Sequence, residues 1–469
     1  MPGFCLSERM DSFYSYHLPV NGQTNPGDVM LNSVWSETTS IPQFPRLEGD
    51  VSTDVLIIGG GLAGILTASR LEKAGIRYLL IEADEICHGV TRNTTAKITA
   101  QHGLIYSRIR KEFGSDTARL YWEANEAAIA QYRLLSQKIP CDFEKQDAFV
   151  YSLNPTDKLE QELHTLQVLG IPGEFTRQIP LPFPVSGAVR FKNQAQFHPL
   201  KLAAGIAQGL NIRTHTRAVS IDGNTVATNH GTIKAQKIIV TTHFPLINTH
   251  GFYFLKLYQD RSYVLGLENA PNLNGIYRDE AAGGLSFRNA GDLLLLGGGG
   301  HRTGKTTSGW DSLTAAARQH FPNASVRYRW AAQDCITLDG IPYIGQYSKH
   351  TPNLYVATGF GKWGMTTAMV AATLLCDLIQ GIRNPYTPVF SPARTVWRPQ
   401  LFVNTAEVVK NLLTPTKPRC PHLGCALKWN PQEYSWDCPC HGSRFTEKGK
   451  LLDNPASGDL KQSFHPPGE

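Results

Sequence analysis

No stretch of this chain approaches the roughly 20 consecutive apolar residues that a membrane-crossing helix needs, so no membrane span is expected. No run of Lys or Arg interrupts the modest net charge of +6, from 45 basic and 39 acidic side chains. Nucleic acid is therefore not expected as a partner, because a phosphate-binding surface needs clustered cations. The opening residues carry neither an apolar signal core nor a twin arginine, and the chain is expected to be cytoplasmic. Cysteine is sparse over most of the length: Cys5, Cys87, Cys141, Cys335 and Cys376 lie singly, the pattern of small buried side chains. The other four cysteines fall between residues 420 and 440, and clustering of this kind without an export signal favours metal over a disulfide framework.

What is present begins with length. At 469 residues with 41% hydrophobic and 18% charged side chains, two or three globular domains are expected. Residues 1–50 are polar and aperiodic, an N-terminal extension expected to be partly disordered. Asp54-Val-Leu-Ile-Ile58 reads as a buried parallel strand entering Gly59-Gly-Gly-Leu-Ala-Gly64 and a helical stretch to Lys73. A second buried strand, Arg77–Ile81, ends at Glu82. In this strand–turn–helix context Gly59, Gly61 and Gly64 allow a tight turn and close approach of a pyrophosphate to the helix N-terminus, and Glu82 suits a ribose. The motif does not by itself separate FAD from NAD.

Three segments resemble the D-amino-acid oxidase-like flavoproteins, which include the sarcosine and glycine oxidases: this fingerprint, Thr337-Leu-Asp-Gly-Ile-Pro-Tyr-Ile-Gly345, and Gly359-Phe-Gly-Lys-Trp-Gly364. The resemblance covers about residues 52–385. It implies FAD held by Gly59, Gly61, Gly64, Glu82, Asn93, Thr94, Thr95, Val219, Gly345, Gly361, Lys362 and Gly364. Relatives with covalent flavin carry a His near the position of Asn93, so non-covalent FAD is expected, although Cys87 and His88 lie close by. The last helix would point its N-terminus, with Lys362 beside it, at the flavin N1 edge, where negative charge develops on reduction. Candidates for the substrate side are His243, Tyr258, Arg261 and Tyr263, with Arg261 suited to a carboxylate.

Near the end stand Cys420-Pro-His422-Leu-Gly-Cys425 and, 12 residues on, Cys438-Pro-Cys440-His441-Gly-Ser443. A Rieske [2Fe-2S] centre takes one Cys and one His from each of two loops, here Cys420, His422, Cys438 and His441. A zinc site from the same residues would leave the Cys-Pro-Cys-His-Gly-Ser context unexplained. Resemblance to the Rieske proteins of the respiratory cytochrome bc type implies a disulfide between Cys425 and Cys440. It also places the Ser443 hydroxyl at a cluster sulfur, with Phe445 where those proteins usually have Tyr. One donor fewer implies a lower potential than theirs. Trp429, Tyr434 and Trp436 read as the core of a small β module. The fifteen histidines include no pair at helical spacing, which argues against the mononuclear iron of a Rieske oxygenase.

Gly299-Gly-His-Arg-Thr-Gly-Lys-Thr306 spells a phosphate loop, but Thr307-Ser-Gly-Trp310 delays the helix such a loop needs. The expected fold is α/β followed by β: an FAD-binding Rossmann-like domain (about 51–140, 191–245 and 335–385) with an antiparallel-sheet substrate domain (about 141–190 and 246–334), then a linker (386–410) and an all-β Rieske domain (411–469). The whole chain resembles Rieske-fused FAD oxidoreductases of bacteria. A flavin takes up two electrons together and releases them singly, as a one-electron cluster requires. The expectation is an FAD-dependent dehydrogenase that oxidises a small substrate at an amine or amino-acid C–N bond and passes electrons through the cluster to an external one-electron acceptor. Its alternatives are an electron-transfer or redox-sensing module and an NAD(P)H-fed reductase. The latter lacks a second GxGxxG.

Overall fold

The computed structural model describes residues 29–247, 250–305, 308–394, 397–416, 418–462 and 464. Most of the expected N-terminal extension lies outside the described residues. Its described part, residues 29–50, does not hang loose: Met30 bridges to Tyr328, and the short helix Val34–Thr38 buries Trp35 at 3% exposure.

Val51–Ile58 is apolar on both faces and takes the centre of an eight-stranded sheet, parallel to Gly231–Val240 on one side and to Tyr78–Ile81 on the other. Leu354–Thr358 extends the parallel set and Tyr343–Gln346 closes that edge antiparallel. Helices cover the sheet, among them Leu62–Lys73 and the apolar Gly364–Gln380, which pack against each other. A sheet buried on both sides needs continuous hydrophobic strands, which is how these segments read.

A second sheet of nine strands lies beside the first. Its long edge pair, Leu257–Glu268 and Ser325–Thr337, runs antiparallel in register from Leu257↔Thr337 through Asp260↔Asp334 to Glu268↔Ser325, with one irregularity. The sheet is not wholly antiparallel as expected: Ile276–Asp279 pairs parallel with Glu144–Ser152. The chain between them is long enough for the crossover that a parallel pair demands. Residues 299–302 of the phosphate-loop lookalike complete the strand Leu293–Arg302, and the next helix, Gly309–His320, starts beyond the motif. Among the described residues, no helix N-terminus is offered where a phosphate would need one.

The expected linker is tied down. Val389 and Phe390 are buried in a short helical turn, and Arg394 pairs with the buried Asp339. The following helix, Pro399–Leu413, opens on Pro399, which suits a first helical turn. A four-stranded antiparallel sheet closes the chain: Lys428–Asn430, Ser435–Asp437, Arg444–Thr446 and Leu451–Asp453. Trp436 and Phe445 fill its core, with Trp429 edge-on to both Trp436 and Tyr434. No helix among the described residues is long and apolar enough to cross a membrane.

Candidate flavin and cluster sites

The three fingerprint glycines have separate reasons to be glycine. A Cβ on Gly64 would lie 2.0 Å from the Gly59 carbonyl oxygen, and one on Gly59 (φ +113°) would lie 2.8 Å from that of Thr241. These two set how closely helix and strand pack. Gly61 differs: its nearest neighbour would be Thr91 Oγ1 at 3.5 Å, so its open side is a cradle of the shape a pyrophosphate fills. Glu82 accepts from the Gly60 N–H at 2.6 Å and from the Asp84 N–H at 3.0 Å. Burial pushes its carboxyl up, against those hydrogen bonds. These residues fit a dinucleotide.

Asn93 ends the short helix Val90–Asn93 and Thr94 and Thr95 follow it, and the carbonyls of this stretch are clamped from outside. Trp330 Nε1 donates to Asn93 O, Trp35 Nε1 to Thr94 O, and Arg288 to Thr95 O and Ala96 O. Sequence reasoning missed all three clamping side chains, which come from distant segments. Val219 sits on an outer hairpin with its side chain 58% exposed. Gly345 (φ +144°) faces Pro392, 3.1 Å from where a Cβ would be. Gly359, Gly361 and Lys362 all adopt positive φ just before the helix Gly364–Gln380. For a lysine that conformation is uncommon. It swings Nζ to Ser262 Oγ at 2.7 Å and to the Asp260 carboxylate at 3.5 Å.

Around Lys362 a polar face assembles that the sequence did not disclose. Asp260 and Ser262 alternate on Leu257–Glu268, and Asp334 stands opposite Asp260 on Ser325–Thr337. Burial raises the Asp334 carboxyl to about 6, with Lys362 drawing it down and Asp260 pushing it up. Asp260 Oδ1 is buried with no hydrogen-bond partner among the described residues. The Arg278 guanidinium lies 5.3 Å over the Trp363 ring, which stacks on His102 at 4.8 Å. His102 is held by Tyr121, Thr99 O and Thr366, and burial lowers it to about 3, so it stays neutral. Lys97, buried beside Arg278 and Arg288, is lowered to about 7.

The four substrate-side candidates lie away from this polar face. Arg261 donates through Nε and Nη2 to Glu433 of the C-terminal module, both side chains under 9% exposed, so its guanidinium is not free for a substrate carboxylate. Tyr263 lies beside Glu433, its ring stacked on His301 and edge-on to Trp310. His243 (φ +68°) is buried near Asp453 and Gln259. Tyr258 lies beneath Arg302, whose guanidinium holds Pro439 O and Cys440 O. For Arg261 and Tyr263 the reason is strand alternation: on Leu257–Glu268 neighbouring side chains leave opposite faces, and these two have the wrong parity. Lys362, expected at the flavin edge, is the residue that joins the polar face.

At the other end Cys420, His422, Cys438 and His441 converge. The two imidazoles are 4.9 Å apart, edge to face. Both ring nitrogens of His441 are buried without a hydrogen-bond partner among the described residues, the condition of a ring meant for a metal. Hydrogen bonds from Cys420, Cys425 and Cys440 hold the Cys438 thiol well below its usual range, and the same bond, with burial, pushes Cys420 up. This donor set fits a Rieske cluster. Cys425 and Cys440, the pair for which a disulfide is implied, stand side by side as thiols, their sulfurs and that of Cys438 lying within 4.8 Å of one another. Ser443 Oγ accepts from the Ala456 N–H at 2.9 Å, leaving its own proton free for the adjacent Cys420. Phe445 is fully buried.

Comparison with known proteins agrees with both ends. The family described as FAD dependent oxidoreductase (DAO) matches residues 54–378, and the Rieske [2Fe-2S] domain matches residues 393–463. YhfW of Bacillus subtilis (strain 168), which carries the name of a Rieske 2Fe-2S iron-sulfur protein, is 36% identical over 91% of this chain and 96% of its own length. The gamma-glutamylputrescine oxidoreductase of Escherichia coli (strain K12) is 22% identical over 72% of this chain and 86% of its own. Among solved structures, the glycine oxidase of Geobacillus kaustophilus superposes with a TM-score of 0.61 at 19% identity, covering 74% of this chain and 99% of that one. The chain belongs to the FAD dependent oxidoreductase (DAO) family, carries a C-terminal Rieske domain, and is an oxidoreductase that binds FAD and a [2Fe-2S] cluster.

Proposed function

We propose that this protein is a dehydrogenase that oxidises the C–N bond of a small amine and delivers the electrons singly, through its cluster, to an external acceptor. The observation that carries the reading is the Asp260–Asp334 pair, opposed across two strands and facing Lys362 and Arg278. FAD would rest on Gly59, Gly61, Gly64 and Glu82, and Cys420, His422, Cys438 and His441 would hold the iron. The bound flavin supplies hydride acceptance, two electrons at a time.

The chain's own residues would do the rest. An amine reaches the site as an ammonium ion and must lose a proton before its C–H bond gives up hydride. A carboxylate raised to about 6 is close enough to neutrality to take that proton and pass it on. Asp260 would hold the ammonium beside it. Lys362, on its strained turn, would keep a positive charge next to the helix Gly364–Gln380 N-terminus, where reduction builds negative charge. Trp363, stacked between Arg278 and His102, would wall the site against water. The named activity of the E. coli relative, on a polyamine derivative, supports an amine over an alcohol.

The experiment is anaerobic mixing of the loaded enzyme with a panel of amines, amino acids and NADH, following the flavin absorbance. Bleaching by an amine, followed by the Rieske electron paramagnetic resonance (EPR) signal, is the expected result. Bleaching by NADH alone, or by none of the panel, would overturn the reading.

A further inference from the structure

The Rieske module meets the flavin domain through its cluster-binding loop. Gln259 Nε2 donates to His441 O at 2.8 Å and to Asn454 O at 2.9 Å, and Gln333 Nε2 donates to Gly442 O at 2.8 Å. Two glycines permit approaches between the module and the flavin domain that a Cβ would block. A Cβ on Gly442 would lie 2.6 Å from Gln259 Cβ, and one on Gly304 2.8 Å from Pro439 N. The Phe244 ring stands 6.2 Å from both His422 and His441, three residues after Thr241, whose hydroxyl donates to Gly59 O in the fingerprint turn. The histidine edge of the cluster site therefore faces the domain that carries the flavin.

Charge selects this orientation. Within the module, Arg444 alone serves three carboxylates: Glu433 at 2.8 Å, Asp437 at 2.9 Å and Asp453 at 3.0 Å. A lone buried arginine leaves that group two charges short of neutral. Arg261, from the flavin domain, supplies the next cation, bidentate to Glu433 and 3.8 Å from Asp453. Burial pushes the Glu433 carboxyl up, but Arg261 and Arg444 outweigh it and hold it down to about 2. A module that swung away would leave Arg261 and the surplus acids without each other.

We propose that Arg261 and Glu433 are a positioning pair that pins the Rieske module in one docked orientation, with electrons entering the cluster at the His422–His441 edge across Phe244. The module is a fixed relay, not a swinging carrier. Each transfer oxidises the reduced cofactor by one electron and reduces the cluster by one, and the cofactor's proton leaves to solvent. The inference holds whatever the substrate is.

The test uses holoenzyme carrying both cofactors, with the flavin reduced photochemically (EDTA and a deazaflavin, under argon) and cluster bleaching followed in time. Arg261→Met removes the charge at similar volume, and Arg261→Lys keeps it. Loss of one partner from a buried ion pair shifts its equilibrium by about 100-fold, so cluster reduction in R261M is expected to slow by about that factor. The rate in R261K should stay close to that of the unaltered protein. Hydrogen exchange of the residue 438–442 amides should rise in R261M and not in R261K, with the cluster's EPR signal present in both. Gln333→Leu, which keeps the ion pair and frees Gly442 O, should slow transfer by a smaller factor, and it decides the matter should R261M fail to fold. Cluster reduction at the unaltered rate in R261M, or in Q333L where that variant stands alone, would overturn the proposal.

Discussion

Asp260 and Asp334 stand opposite one another in register across two antiparallel strands, and Arg261, one residue along, leaves the other face of the sheet to grip Glu433. One strand thus serves two sites through side-chain parity. Its Asp260 and Ser262 build the polar face below Lys362, and its Gln259 and Arg261 hold the cluster module.

Asp334 should govern the pH dependence of flavin reduction. Its carboxyl is raised to about 6 by burial, so only above that pH is it ready to accept a proton. Flavin reduction by an amine should rise with pH through about 6, and Asp334→Asn should lower the rate by about 10²- to 10⁴-fold and flatten this limb. Stopped-flow reduction across pH 5 to about 9 measures it. Stability moves the opposite way. A carboxyl raised in the folded state contributes stability that is complete below its unfolded value near 3.8 and lost as pH rises through about 6. At pH 8, D334N should then be the more stable protein by about 1–2 kcal/mol in denaturant titrations.

Loss of any one cluster ligand should separate the two cofactors. Cys420→Ser, His422→Ala, Cys438→Ser or His441→Ala should abolish the Rieske EPR signal while the flavin spectrum persists, because the glycine cradle at residues 59–64 belongs to a different sheet. A Cys425→Ser/Cys440→Ser double variant should keep the signal, since neither thiol belongs to the proposed ligand set. It should lose thermal stability if the two thiols join as a disulfide in the folded protein, because opening such a link costs about 2–5 kcal/mol.

How much of this was legible in the chain depends on distance along it. The cluster ligands and the fingerprint glycines lie within short segments, where spacing alone fixes geometry, and the structure brings each set together. The strands were legible from their apolar runs. Which parity of Leu257–Glu268 meets Lys362 was not, because alternation reveals two faces without saying what covers them. Arg261 and Tyr263 were chosen as candidates from one face while Asp260, Ser262 and Asp334 occupy the other. The Trp35, Arg288 and Trp330 clamps on residues 93–96 were equally hidden, since each donor is tens to hundreds of residues from its acceptor.

The cluster potential should respond to hydroxyls at two positions. Ser443 has its oxygen occupied by the Ala456 N–H, so its proton is free to serve a cluster sulfur. Ser443→Ala should lower the midpoint potential, because a donor to sulfur favours the reduced, more negative cluster. It should also cost about 1–3 kcal/mol by leaving Ala456 N–H unpaired. Phe445→Tyr should raise the potential where the buried pocket admits the hydroxyl. Redox titration followed by EPR or circular dichroism reports both shifts, and an unchanged value in S443A would remove the hydroxyl from the cluster's surroundings.

Gly61 and Gly64 should fail in different ways when given a methyl group, and the contrast tests the cradle directly. On Gly64 the new Cβ would meet Gly59 O at 2.0 Å, backbone against backbone. Gly64→Ala must push helix from strand and should lower stability by about 1–3 kcal/mol or more, with or without FAD. On Gly61 the nearest atom would be Thr91 Oγ1 at 3.5 Å, an ordinary contact. Gly61→Ala should therefore leave the apoprotein's melting temperature nearly unchanged. Its methyl would instead stand where a pyrophosphate must approach the helix N-terminus, so FAD affinity should fall by tenfold or more, about 1.4 kcal/mol. Differential scanning fluorimetry of the apoproteins and titration with FAD separate the two effects. Equal FAD affinity in G61A and the unaltered protein would mean that the dinucleotide does not rest on this turn.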